Sequence, residues 1–295
     1  MSLFPKIAQI IRFYARFFVP LHCKNNTIER MAKQKILFIN QEIAPYVPDN
    51  DLSIMGRELP KAMQDRGHEI RTFMPKWGTI NERRGQLHEV QRLSGMNLII
   101  DDTDHPLIIK VASIQSARVA VYFIDNEDYF AKRQMGTDEQ GIDYPDNGER
   151  AIFFARGVLE TVKKLRWVPD VIHCQGWMSA VVPFYVKTAY ADEPSFADTK
   201  VVTSLFAKSL TNDLGCKFKQ SLAFRDAKPE LLESYNDNFG IDDLGKLAID
   251  YSDGIILADR EVNPMLLDHV KQKGLPMLEY QDDFAEPYES FYETI

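Results

Sequence analysis

The chain has 295 residues, of which 45% are apolar, and 43 Asp and Glu against 35 Lys and Arg give a formal net charge of -8. That length accommodates one large or two small domains with a well-buried core. The acidic balance, with no Lys/Arg-rich run interleaved with aromatics, speaks against a nucleic-acid or general polyanion partner. Three widely separated cysteines, Cys23, Cys174 and Cys216, suggest neither a disulfide framework nor a zinc knuckle, and fit a reducing, cytoplasmic setting.

In the first thirty residues Leu3, Phe4, Ile7, Ile10, Ile11, Phe13, Tyr14, Phe17 and Phe18 are interrupted by Lys6, Arg12 and Arg16. Charges at that spacing forbid a membrane span, and neither an unbroken apolar core nor a small-residue cleavage site of a secretory signal is present. Two readings stand: a basic amphipathic helix touching a membrane surface or a partner, or an extension upstream of a start at Met31. The second is favoured, because globular patterning begins only at Lys33. Residues 1–33 are therefore expected to stand apart from a folded domain spanning 34–295.

Lys35 to Asn40 is a short, nearly unbroken apolar run, as expected for a parallel strand buried on both faces. From Leu52, the residues Met55, Leu59, Ala62 and Met63 recur at three- and four-residue steps and predict a helix ending near Arg66-Gly67, with a kink at Pro60. Glu69 to Met74 supplies a second strand. A right-handed crossover of this kind opens a Rossmann-like sheet, and ligands of such sheets bind outside the carboxyl ends of the strands, where Gln41 to Asp51 forms a loop.

Past Pro75, alternating runs near Leu87–Val90, Asn97–Ile100 and Leu107–Ser113 predict a β-hairpin insertion, followed by a strand at Val119–Ile124. Asp146 as a cap, with Glu149 three residues on, predicts a capping box and a helix from Asn147 to about Leu165 that buries Ile152, Ala155, Leu159 and Val162. Asp170 to Cys174 reads as a further strand, in which His173 is a buried structural histidine. Lys200–Phe206 and Gly254–Ala258 read as strands, with a helix before the latter and another beginning at Arg260–Asn263. Asp282, Asp283, Glu286, Glu289 and Glu293 make the last stretch acidic. The expected fold class is α/β: a single Rossmann-like domain with a mostly parallel sheet and a β-hairpin insertion.

Several pieces also carry a family likeness. Glu42, Ala44 and Pro45, then Leu59-Pro60-Lys61-Ala62-Met63, Gly67-His68-Glu69-Ile70-Arg71, Met74-Pro75, the helix opening Asp146-Asn147-x-x-Arg150, and His173 with Trp177 fall in order. Together they resemble the N-terminal, acceptor-side catalytic domain of the bacterial glycogen and starch synthases, one half of a GT-B fold, over Lys35 to about Val270. The resemblance implies addition of α-1,4-linked glucose from ADP-glucose to a growing glucan. It points to a glucan or nucleotide-sugar ligand, to Glu42, Asp146, Asn147, Arg150, Gln175 and Trp177 as substrate-binding candidates, and to no cofactor or metal.

The sequence departs from the family where charge is handled. In place of a Lys-x-Gly-Gly phosphate loop stand Pro48, Asp49, Asn50 and Asp51, which repel an anion and remove a backbone donor. Gln175 occupies a sugar-facing histidine position, Gly176 an aspartate position, and Leu205 and Phe206 replace a histidine and an asparagine. The family's second, donor-binding domain would follow the point where the chain reaches Ile295. The chain is thus expected to be weak or inactive by itself, with no catalytic residue assigned. The alternatives are a non-catalytic glucan-binding or regulatory module, or a half-enzyme completed by a partner chain. For Asp146 and Arg150 a bland alternative stays open, a helix cap and a surface or ion-pair residue; for Trp177 and the tyrosines it is core packing.

Overall fold

The structure is a computed structural model that describes residues 33–207, 210 and 213–295. The N-terminal stretch that admits two readings lies outside the described residues.

Strand β1 (Lys35–Asn40) is followed by α1 (Asp51–Asp65), β2 (Glu69–Pro75), a single turn α2 (Glu82–Gly85), and β3 (His88–Glu89), β4 (Met96–Ile100), β5 (Thr103–Ile114) and β6 (Val119–Asp125). The long α3 (Asn147–Lys164) leads to β7 (Val171–Gln175), α4 (Val182–Lys187), β8 (Lys200–Leu205) and α5 (Phe218–Leu222). Then come α6 (Ile241–Asp250), β9 (Gly254–Leu257), α7 (Pro264–Lys273), β10 (Met277–Leu278) and α8 (Ala285–Thr294). The strand order is β10-β9-β8-β7-β1-β2-β6-β5-β3, with β4 paired to β5. Pairing is parallel from β10 through β6, and β5, β3 and β4 are antiparallel.

Because successive side chains alternate across a strand, β1 feeds two cores. Leu37 and Ile39 join Ile172, Cys174 and the α3 residues Ile152, Ala155, Leu159 and Val162 on one face. Ile36 and Phe38 join Val171, Val202 and Ile256 on the other, under Leu59 and Met63 of α1 and Tyr288, Phe291 and Tyr292 of α8. The β4–β5 hairpin turns on Asp101 and Asp102, both with positive φ (47° and 62°), the backbone that a two-residue turn between right-twisted strands requires.

Helix α1 is continuous across the buried Pro60. Three local expectations change. Helix α7 starts at Pro264, with Asn263 as its cap, because a proline is favoured at the first helical position and contributes no donor there. Asp146 precedes α3 without capping it: its carboxylate takes two donors from Arg133, at 2.5 and 2.6 Å, and Glu149 accepts from the Tyr129 hydroxyl instead of closing a box. An ion pair with a two-pronged guanidinium outcompetes a neutral cap. Finally, the acidic last stretch contains a helix. Glu289 is buried between Arg66 (2.6 Å) and His68 (2.8 Å), and Tyr292 meets His173 at 2.6 Å, so α8 covers the second face of the sheet.

Candidate active-site crevice

From β1 the chain adds β2 and β6 on one side and only later places β7 on the other. The loops leaving β1 and β7 therefore diverge, and a crevice opens at their carboxyl ends, the ligand position in sheets of this kind. Two cavities lie there. One, of about 290 Å³, is lined by Gln41, Glu42, Asn50, Asp51, Leu52, Trp177, Phe206 and Asp259. The second, of about 480 Å³, shares Trp177 and Phe206 and is otherwise mostly apolar, with Ala180, Leu205, Leu210, Leu244 and Leu266 in its wall.

The β1 loop is held from several sides. Gln41 donates its backbone N–H to the Gln175 carbonyl at 3.0 Å, and the Trp77 indole donates to the Gln41 carbonyl at 2.9 Å. Glu42, almost fully buried, accepts from Gln41 Nε2 at 2.8 Å and from Asn50 Nδ2 at 2.6 Å. Asn50 is the N-cap of α1: its Oδ1 accepts the Ser53 N–H, and Ser53 Oγ accepts the Asn50 N–H, both at 2.9 Å. Gly56 permits this close packing, since a Cβ there would lie 2.3 Å from the Glu42 carbonyl oxygen. Where a phosphate loop would expose backbone donors to an anion, Asn50 occupies a first-turn amide of the helix and a carboxylate stands beside it.

At β7 the backbone turns through Gly176 with φ +84°, and a Cβ would fall 2.7 Å from Gln41 Oε1. Only glycine accepts both conditions, and the turn brings Trp177 into the wall shared by the two cavities. Gln175 itself is fully buried beneath the crevice. Its amide has no partner, nor has that of Asn40, its neighbour on β1.

The helix-opening residues are placed otherwise. Arg150 is fully buried, and its guanidinium donates to the carbonyls of Tyr129 (2.9 Å), Met135 (2.5 Å) and Gln134 (2.9 Å) and to Asn147 Oδ1 (2.8 Å). Burial, reinforced by the nearby Arg133, draws its pKa down to about 10. Asn147 donates to the Gly136 carbonyl at 2.8 Å. Asp146, Asn147 and Arg150 thus brace the loop after β6 and line neither cavity; Arg150 is an interior anchor, not the surface or ion-pair residue of the bland reading. His173 is also interior, with Nε2 2.6 Å from Ser204 Oγ, and desolvation lowers its pKa to about 3, so it is neutral.

Of the sequence candidates, the structure brings Glu42 and Trp177 to the crevice, with Asn50 and Asp51 of the altered loop and Gln175 beneath its floor. Sequence reasoning missed Asn40, Gln41 and Asp259. Each lies at or just beyond the carboxyl end of a parallel strand, which is the signal that marks them.

Comparison with known proteins gives a consistent picture. The family described as "Starch synthase catalytic domain" matches residues 35–276. Glycogen synthase of Chlorobium limicola is 39% identical over 172 residues, covering 58% of this chain and 35% of that protein, and glycogen synthase of Chlorobium phaeobacteroides is 38% identical over the same span. The chain therefore spans about a third of the length of these curated relatives. Among solved structures, the catalytic domain of starch synthase IV from Arabidopsis thaliana, bound to ADP and acarbose, aligns with a TM-score of 0.66 at 18% identity. The match covers 84% of this chain and 51% of that one. At that identity the likeness speaks for the fold, a mixed α/β domain with a mostly parallel sheet. With the family match reaching across nearly all of the sheet, the chain belongs to the starch synthase catalytic domain family.

Proposed function

We propose that this domain binds an α-1,4-glucan or its growing end in the crevice between β1 and β7. On this reading it takes part in glucosyl transfer from ADP-glucose only when a donor-binding half, on further chain or on a partner, closes over it. The carrying observation is the make-up of the crevice. Trp177 and Phe206 put aromatic side chains in the wall beside the polar Gln41, Asn50 and Glu42, yet no Lys or Arg lines the polar cavity among the described residues. Hydroxyl recognition needs fixed amides, carboxylates and a stacking face. Departure of a nucleotide diphosphate needs cations or several free backbone donors, which the described residues lining that cavity do not offer. Both described cysteines, Cys174 and Cys216, are free, which suits a cytoplasmic place for such chemistry.

Assay of the 295-residue chain for glucose transfer from ADP-glucose into glycogen is expected to give little or no turnover, while maltoheptaose binds measurably by calorimetry. Robust turnover by the chain alone overturns the proposal. A second reading, a glucan-binding or regulatory module with no transfer in any assembly, is favoured by the closed Asn50–Ser53 cap with Glu42 beside it. Adding the donor-binding half of a relative separates the two: restored transfer supports the half-enzyme, and continued silence with glucan binding intact supports the module.

A further inference from the structure

We propose that a cavity between the β4–β5 hairpin, α3 and α5 binds a small organic anion, a carboxylate or a phosphate, through Arg156. The cavity measures about 530 Å³ and shares no lining residue with the two crevice cavities, so the inference does not depend on the glucan reading. Arg156 lines it together with Ile99, Glu160, Gln220, Phe224 and Arg225. The arginine is more than nine-tenths buried, yet it forms no ion pair with any described residue. Its guanidinium donates from Nη1 to the Ile99 carbonyl at 2.5 Å and rests on the Phe224 ring, 3.7 Å from the centroid. Nε is buried without a partner, and Nη2, with no hydrogen bond to any described residue, is the nitrogen left to the cavity. A buried charge without a counter-charge is costly, and an oxyanion reaching the guanidinium supplies both the charge and the acceptor.

The charges around Arg156 are otherwise engaged. Glu160 accepts from the Tyr190 hydroxyl at 2.8 Å and lies 3.4 Å from Lys163 and 3.8 Å from Arg225. Glu193 lies 3.0 Å from Lys163 and 3.9 Å from Arg225. These two acids and two cations offset one another, which leaves Arg156 as the uncompensated charge of the wall. Asp101 and Asp102 oppose an anion, but both are exposed at the hairpin turn, where water and salt screen them. Met96, Ile99 and Phe224 add apolar surface to the cavity, which suits an anion carried on a carbon body rather than a bare inorganic ion.

Three probes that share a ring and differ in charge test this by calorimetry on the full chain at pH 7 and low salt: phenyl phosphate, benzoate and the neutral benzyl alcohol. At least one of the two anions is expected to bind saturably, about tenfold or more tighter than benzyl alcohol, and to weaken as salt is added. Which anion binds tighter tells a phosphate ligand from a carboxylate. Arg156→Met keeps an unbranched stem without the charge and is expected to abolish the binding. Since a variant of a buried residue can lose its fold, Gln220→Glu provides a second arm. It adds a negative charge at an exposed position of the same wall, and is expected to weaken anion binding about fivefold or more without shifting thermal unfolding. No saturable binding of either anion, benzyl alcohol binding as tightly as both, or anion affinity unchanged in Gln220→Glu or in a folded Arg156→Met, overturns the proposal.

Discussion

Asn40 and Gln175 pair in register across β1 and β7, both fully buried, and neither side-chain amide has a hydrogen-bond partner. A buried polar group left in this state costs about 1–3 kcal/mol. Replacing Gln175 by Met, of similar volume and without the amide, is therefore expected to stabilise the fold by about 1 kcal/mol or more. A urea denaturation midpoint that rises at unchanged slope is the expected result, and a lower midpoint refutes it.

Gly176 is predicted to tolerate no side chain. In Gly176→Ala the positive φ and the approach to Gln41 are both lost, at a cost of at least about 1 kcal/mol. Since the turn presents Trp177, maltoheptaose affinity should fall together with stability. Calorimetry and thermal unfolding of the same preparation check both.

Arg150 holds three backbone carbonyls of the loop after β6 from a buried position. Arg150→Ala strands them and is expected to cost on the order of 3 kcal/mol or more. Arg150→Lys should not rescue the loss, because an ammonium lacks the planar fork that reaches several acceptors at once. Chemical denaturation of the two variants side by side tests this.

His173 sets a pH dependence. Burial lowers its folded pKa to about 3, against an ordinary value of about 6.5 in the unfolded chain. Above pH 6.5 the histidine is neutral in both states and stability is unaffected. As pH falls below that value the unfolded chain takes up the proton first, and stability is lost at roughly 1.4 kcal/mol per pH unit toward pH 3. In His173→Phe the stability curve between pH 6.5 and 3 should be flatter than in the parent chain; identical slopes would show that His173 does not carry the effect.

Much of the sheet was readable from sequence, because its central parallel strands are short apolar runs buried on both faces, as at Lys35–Asn40 and Val171–Cys174. The helix at Asn147–Lys164 was read from a cap at Asp146 that is instead an ion pair with Arg133, while its expected inward residues Ile152, Ala155, Leu159 and Val162 are indeed buried. The choice between a cap and an ion pair depends on a residue thirteen positions away that sequence spacing does not bring near. The role of α8 was hidden for the same reason: Glu289 reads as one more surface acid until Arg66 and His68, more than two hundred residues earlier, meet it. At the crevice, Glu42, Trp177 and the altered Pro48–Asp51 loop stood out by family likeness. Gln41 and Asp259 carry no motif and become visible only when the strand ends are brought together.

Calorimetry of the full chain with maltoheptaose and, separately, with ADP-glucose distinguishes a crevice that binds glucan without holding the nucleotide diphosphate from one that holds both. Heat of binding is expected for maltoheptaose, lost in Trp177→Ala, and none for ADP-glucose. Saturable ADP-glucose binding in the absence of any partner refutes the proposal.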